Sequence, residues 1–352
     1  MRIAPIAACL GMQWKQNLQP RIQPAFFSLF AIALSLAVLI NACSIGFNQS
    51  LQPLRVGIPN WIGFDVALYG EPSEIFKQRG LDVELVRFES NQDASRAAMR
   101  GSLDAAFTSF WDVMQVDPGN AKPVVLMTAN ISAGADGMVA TSGIQAVEDL
   151  RGKRVGAKLG TVNHLILLEA LKAHQVQPSE VEILDYSNEV AAEQVASGAI
   201  DAAVLWEPML SETAAKIKGN VIHTTKQVDS LVIDILMSSD SMMNAKKAEL
   251  KQFMLAWFDI MHAVETKPTQ VFDTVGQKLG QSGEAFASDY AGLEKGDIAL
   301  NQRMFQANGR LKAAQAEIVQ LLQTDRRHGR TIRQDVEIGG ALVSEAMKAW
   351  KP

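Results

Sequence analysis

Short aliphatic runs alternate with longer stretches whose apolar positions recur every three to four residues, and this alternation sets in at residue 54. "LRVGI" (54–58) reads as a short buried strand, and "VALYGEPSEIFKQRG" (66–80) as a helix that Pro72 interrupts. "DVELVRF" (82–88) returns as a second strand. A helix then runs from just after Asn91, expected as its N-cap, to Gly101, expected as a left-handed C-cap, and "LDAAF" (103–107) follows as a third strand.

The same series recurs 97 to 99 residues later. "KRVGA" (153–157), "TVNHLILLEALKAHQ" (161–175), "EVEILDY" (180–186), a helix between Asn188 and Gly198, and "IDAAVLW" (200–206) repeat strand, helix, strand, helix and strand. Strands alternating with helix-length segments predict βαβ units and parallel pairing. The period is too long for a solenoid. The expected fold class is therefore α/β, with two similar lobes, mixed but largely parallel sheets and a ligand cleft at the facing strand C-termini.

After "LVIDILMSS" (231–239) no third copy begins. Segments 248–266, 311–323 and 338–350 all have helical periodicity, and this helical C-terminal tail is assigned to the first lobe. Two hinge crossings are then expected, near 128–141 and 226–240. The organisation predicted is 1–42 a signal peptide, 43–53 a tether, 54–135 the first lobe, 136–235 the second lobe with its hinge strands, and 236–352 the return to the first lobe.

The N-terminus changes the picture of where the protein works. Residues 1–42 contain Arg2, Lys15 and Arg21, no acidic residue, and an uncharged run from Ala25 to Ala42, the pattern of an export signal. The run ends in "INAC", which resembles a bacterial lipobox with Cys43 as the lipid-bearing residue, although Asn41 departs from the small residue usual there. An uncleaved signal anchor is the alternative, because eighteen apolar residues nearly span a bilayer. Cys9 is the only other cysteine, so a chain beginning at Cys43 forms no disulfide of its own. That chain has 30 basic and 38 acidic residues and a formal charge of −8, which disfavours a nucleic-acid partner.

In order along the chain, "VGIPNWIGFDVALYG", "RGLDVELVRFES", "GSLDAAFTS", "DLRGKRVGAKLGTVNHLILLEAL" and "GAIDAAVLWEP" resemble the solute-binding proteins of ABC importers, in the group associated with nitrate, sulfonate, taurine and thiamine-precursor uptake. The resemblance covers roughly residues 54–240. It implies a type II periplasmic-binding-protein fold, a monomer closing on a small-molecule solute, and delivery to a permease with its ATPase. The location implied is the periplasm or the extracytoplasmic face of the membrane. Catalysis, a cofactor and a metal are not implied. Two alternatives remain open: a ligand-sensing lipoprotein, and a pyrimidine-synthesis enzyme on the same fold, which would want a cluster of reactive His or Cys residues.

Candidate ligand-binding residues follow from the strand ends. Trp61 and Gly63 stand after the first strand, where the resemblance implies an aromatic facing the solute; Trp61 is either such a wall or core packing. Ser109 corresponds to a position that often hydrogen-bonds the solute, and Trp111 lies beside it. Thr161, Asn163 and His164 open a helix whose free N–H groups suit an anion, unless Thr161 is only a cap and His164 a surface residue. Glu207, after Trp206, is a solute contact or a hinge-side salt bridge. Asp136 and Asp234 each interrupt an apolar run at a crossing and require a partner. Convergence of Asp136, Glu207 and Asp234 with Trp61 and Trp111 would make an aromatic, acidic cage for an ammonium group. These loops contain no arginine, which argues against a bare divalent oxyanion.

Overall fold

The computed structural model describes residues 53–352, apart from Pro118, Asn120, Asn308, Arg326 and His328. The segments expected to be a signal peptide and a tether, Cys43 among them, lie outside the described residues except for Pro53. Twelve strands are described: β1 (Leu54–Pro59), β2 (Val83–Phe88), β3 (Ala105–Ser109), β4 (Pro123–Ser132), β5 (Asp136–Ala140), β6 (Arg154–Gly156), β7 (Glu182–Leu184), β8 (Ala202–Trp206), β9 (Asn220–Thr224), β10 (Ile233–Ser239), β11 (Leu293–Lys295) and β12 (Glu337–Ile338).

The strands form two sheets. The larger runs β11-β4-β10-β3-β1-β2, with β12 also on β4, and the smaller runs β7-β6-β8-β5-β9. The duplication is visible in this order. β2-β1-β3 and β7-β6-β8 are parallel triplets built from the repeated phrases, and each triplet is flanked by an antiparallel strand from a crossing, β10 on β3 and β5 on β8. The sheets are thus mixed because the crossing strands run against the βαβ units. β10 lies wholly in the larger sheet, so the lobe change expected at residue 235 falls inside one strand; the chain leaves the smaller sheet after Thr224.

Local chemistry explains the ends of the repeated helices. Ser90 and Ser187, not the following asparagines, are the N-caps: their side chains accept from the backbone N–H of Asp93 and Val190. Asn91 and Asn188 become the first helical residues, and their side chains are released for other work. Gly101 and Gly198 end both helices at φ +76°, the left-handed conformation that glycine adopts without a Cβ penalty. Pro72 does break the first helical stretch, into Val66–Tyr69 and Ile75–Gln78.

One core lies on one face of the larger sheet, where Phe64 and Phe107 pack with Phe253 and Trp257 of the twenty-residue helix Lys247–Thr266. A second core is continuous through both lobes and includes Trp111, Met114, Leu165, Leu168, Leu311 and Ile318. It contains a departure from expectation. Helix Arg310–Thr324, assigned with the tail to the first lobe, packs on helix Val162–Ala173 of the second. At its end Asp325 meets buried His164 at 3.2 Å and accepts from Arg327 Nε at 2.8 Å. The chain then returns to the first lobe, where Arg330 donates to Gln92 and Arg333 to the carbonyls of Asp117 and Ala121. Helical periodicity shows that a face is buried but not against which lobe.

Asn301 fixes the bend of β4. Its Oδ1 accepts from Thr128 N at 2.8 Å, and its Nδ2 donates to Thr128 O at 3.0 Å and Asp297 O at 2.9 Å, entirely out of water. Asn301→Ala removes the amide that pairs the buried backbone N–H and C=O of Thr128 and should lower stability by about 2–4 kcal/mol. Urea unfolding checks this; an unchanged midpoint would contradict the role given to Asn301.

Candidate functional site

A cavity of about 360 Å³ opens where the C-terminal ends of the two parallel triplets face one another. From the first lobe it is lined by Asn60 and Trp61 after β1, by Glu89, Ser90, Asn91 and Gln92 after β2, and by Asp112 just beyond β3. The second lobe contributes Lys158, Thr161 and Asn163 after β6, Ser187, Asn188 and Glu189 after β7, and Trp206 at the end of β8. The crossing strands add Asp136 and Asp234.

Of the residues expected from sequence, Trp61, Asp136, Thr161, Asn163 and Asp234 line this cavity. Trp61 is half-buried and donates from its indole Nε1 to Asn130 Oδ1 at 3.3 Å, so it is a wall held from behind. Thr161 precedes its helix without capping it; its hydroxyl donates to Lys158 O at 2.8 Å. Asn163 donates to Val204 O at 2.6 Å, which ties the helix start to β8.

Five expected residues lie outside the cavity wall, each for a visible reason. A Cβ on Gly63 would come within 2.3 Å of Asn130 Nδ2, so this glycine makes room for the side chain that braces Trp61. Ser109 caps the short helix Phe110–Val113 and donates to Asp112 Oδ2 at 2.7 Å, orienting that carboxyl. Trp111 is 1% exposed and packs edge-on against His164 in the shared core. His164 is itself buried, taking Gly160 N–H on Nδ1 and meeting Asp325 through Nε2. Glu207 accepts from the backbone N–H and hydroxyl of Ser211, serving the start of helix Met209–Ile217.

Sequence reasoning missed Asp112, Asn91, Asn188 and Trp206 as lining residues. The repeated "SN" dipeptide was the available signal: with serine as the cap, asparagine takes the first helical position in both lobes. Asn91 then donates to Asp112 Oδ2 at 3.2 Å, and Asn188 Oδ1 accepts from Trp206 N at 3.2 Å.

The wall is electrostatically unusual. Asp112, Asp136 and Asp234 are each buried, and each keeps one carboxyl oxygen without a hydrogen-bond partner. Burial pushes Asp136 up to about 7, with the Glu207 charge adding to the rise and Ser132 opposing it. Burial also lifts Asp234 well above the carboxylate range, reinforced by the charge of Asp136 and opposed by the Trp61 indole. Asp112 is raised by burial against the hydrogen bonds of Ser109 and Asn91. Lys158, which also lines the cavity, is held 3.0 Å from Asp185. Among the described residues no three metal-ligating side chains come together. Trp61 and Trp206 line the cavity together with these acids.

Comparison with known proteins places this geometry. The NMT1/THI5-like family model matches residues 66–270. A binding protein of Brucella abortus (strain 2308) is 26% identical over 191 residues, 54% of this chain and 58% of its own length, so the match spans little more than half of that relative. The taurine-binding periplasmic protein of Escherichia coli is 27% identical over 153 residues, 43% of this chain and 47% of its own. The crystal structure of the periplasmic aliphatic sulphonate binding protein of Escherichia coli superposes with a TM-score of 0.67 at 15% identity, covering 80% of this chain and 96% of that one.

The raised Asp136 makes stability depend on pH. A native carboxyl that keeps its proton up to about 7 binds more protons than the unfolded chain, so its contribution to stability is lost as pH rises from about 4 to 7. Asp136→Asn should therefore match the wild type near pH 4 and become more stable above pH 7. At about 1.4 kcal/mol per pKa unit the gain approaches about 4 kcal/mol. Melting temperatures across that range test it; a variant that is less stable at pH 8 would refute the assignment.

Proposed function

The chain belongs to the NMT1/THI5-like family, and from this premise we propose that it captures a small amine-bearing or zwitterionic solute outside the cytoplasm and passes it to an ABC permease driven by a separate ATPase. It works as a monomer whose two lobes close on the solute, held at the membrane by lipid on Cys43. The observation that carries the reading is the cavity wall: Asp112, Asp136 and Asp234 with unpaired oxygens, beside Trp61 and Trp206. The position of the cavity, at strand C-termini between two lobes, is where open α/β sheets bind small ligands.

Taurine and alkanesulfonates, named for two of the relatives, share a sulfonate group. Taurine adds an ammonium. The carboxyl wall suits the ammonium end, while Asn91, Asn188 and Thr161 offer neutral polar groups to the remainder. Among the described residues neither histidine nor cysteine lines the cavity, which favours binding over a pyrimidine-forming reaction.

Calorimetry of the protein against amines, taurine, alkanesulfonates and nitrate tests the reading. Amines or taurine should bind at micromolar strength, with Asp234→Asn and Trp61→Ala each weakening them at least tenfold, about 1.4 kcal/mol. Heat from nitrate or simple alkanesulfonates alone would overturn the amine assignment. Separately, Cys43→Ser should move the protein from the membrane to the soluble fraction of cells; unchanged fractionation would remove the lipid anchor from the proposal.

A further inference from the structure

The two crossing-strand acids occupy corresponding places in the two sheets. Asp136, the first residue of β5, pairs with Trp206, the last of β8; Asp234 on β10 pairs with Ser109, the last of β3. β3 and β8 are the repeat-related third strands, so the duplication delivers one carboxyl from each sheet to the same hollow. Each is nearly inaccessible to solvent, at 3% and 2%, and each has its Oδ2 unpaired. Among the described residues neither forms an ion pair.

Among the described residues no basic side chain acts on either acid of the pair. Asp112 faces the pair from the helix after β3, and Glu207 adds its charge from beyond β8. Glu89 and Glu189 line the same cavity after β2 and β7, and Lys158, after β6, is committed to Asp185. Arg330, from the tail, acts on Asp112 and donates to Gln92. Two like charges held together out of water do not both persist, because each raises the cost of ionising the other.

Building on the cationic-solute reading above, we infer that Asp136 and Asp234 are both protonated when no cation is present, and that a cationic solute is taken up in exchange for one of those protons. The carboxyl O–H bond breaks, the proton leaves to water, and the solute keeps all its own N–H or N–C bonds. The charge balance is the reason the exchange works. Two protons on two carboxyls leave no charge, and one monovalent cation beside one ionised and one protonated carboxyl also leaves none, so the buried charge is conserved on binding. The elevation of Asp136 to about 7 sets the exchange near neutrality. Capture therefore weakens as pH falls below that range, by up to about tenfold per pH unit for one linked proton. A neutral solute would show no such dependence, which makes the pair the element that selects charge.

Tetramethylammonium is the probe, because it has no ionisable proton and any proton released comes from the protein. Calorimetry at pH 6 in two buffers of different ionisation enthalpy should report about one proton released per cation bound. The affinity should fall roughly tenfold from pH 6.5 to pH 5.5. Asp136→Asn should release none and lose the pH dependence. Independently of any ligand, infrared difference spectra at pH 6 should show a protonated-carboxyl carbonyl band in the wild type that is missing from the Asp136→Asn/Asp234→Asn double variant. Identical spectra mean that the pair is fully ionised and overturn the inference. Equal affinity at both pH values without proton release overturns the exchange but leaves a cation binder. Failure of every cation to bind, with the infrared band present, overturns the cationic reading and the exchange together.

Discussion

Carboxyl groups are buried where the two sheets meet, and water, which would ordinarily stabilise their charge, is excluded from them. Asp136 and Asp234 stand on the strands that carry the chain between lobes, beside the terminal residues of β8 and β3. Isolated carboxylates in such a place cost several kcal/mol each. The arrangement is tolerable because the groups stay protonated or meet a positive guest. Much else in the site is arranged around them: Ser109 and Asn91 orient the third acid, Asp112, while Asn130 braces Trp61. Gly63 is required by Asn130 and not by any ligand.

The two lobes also hold one another directly across the cleft. Gln92 and Gln115 of the first lobe both donate to Gly160 O of the second, at 3.0 and 3.3 Å. The tail adds His164 and Asp325. Although burial works to raise it, the hydrogen bonds of Arg327 and His164 hold Asp325 at about 2, so its carboxylate stays ionised near neutral pH. Each such bond contributes about 0.5–1.5 kcal/mol net, since water replaces it on opening. The contacts between the lobes are therefore modest and separable.

Much of this was legible in the chain. The repeated phrases gave the six parallel strands and the place of the cleft, and a carboxylate inside an apolar run exposed Asp136 and Asp234. The errors share a cause: strand and helix periodicities fix faces only when the register is known. At β8 a shift of one residue exchanges Glu207 for Trp206, since neighbours point to opposite sides. On the turn after β3 the same shift exchanges Trp111 for Asp112. Taking asparagine for the cap in place of the serine before it hid Asn91 and Asn188. The tail was misplaced for a different reason, because an amphipathic helix records its own buried stripe and nothing about its neighbour.

The interleaved strand order has a consequence for how the chain reaches this state. The smaller sheet is drawn from one continuous stretch, residues 136–224, so all its strand partners are present as soon as that stretch exists. The larger sheet is not. β3 and β4 remain without the strand that separates them until β10 arrives, and β4 gains β11 and β12 only from the last sixty residues. Pairings so distant in sequence close slowly, so the half that begins first is the half that finishes last, and its edges stay open to foreign strands throughout that interval.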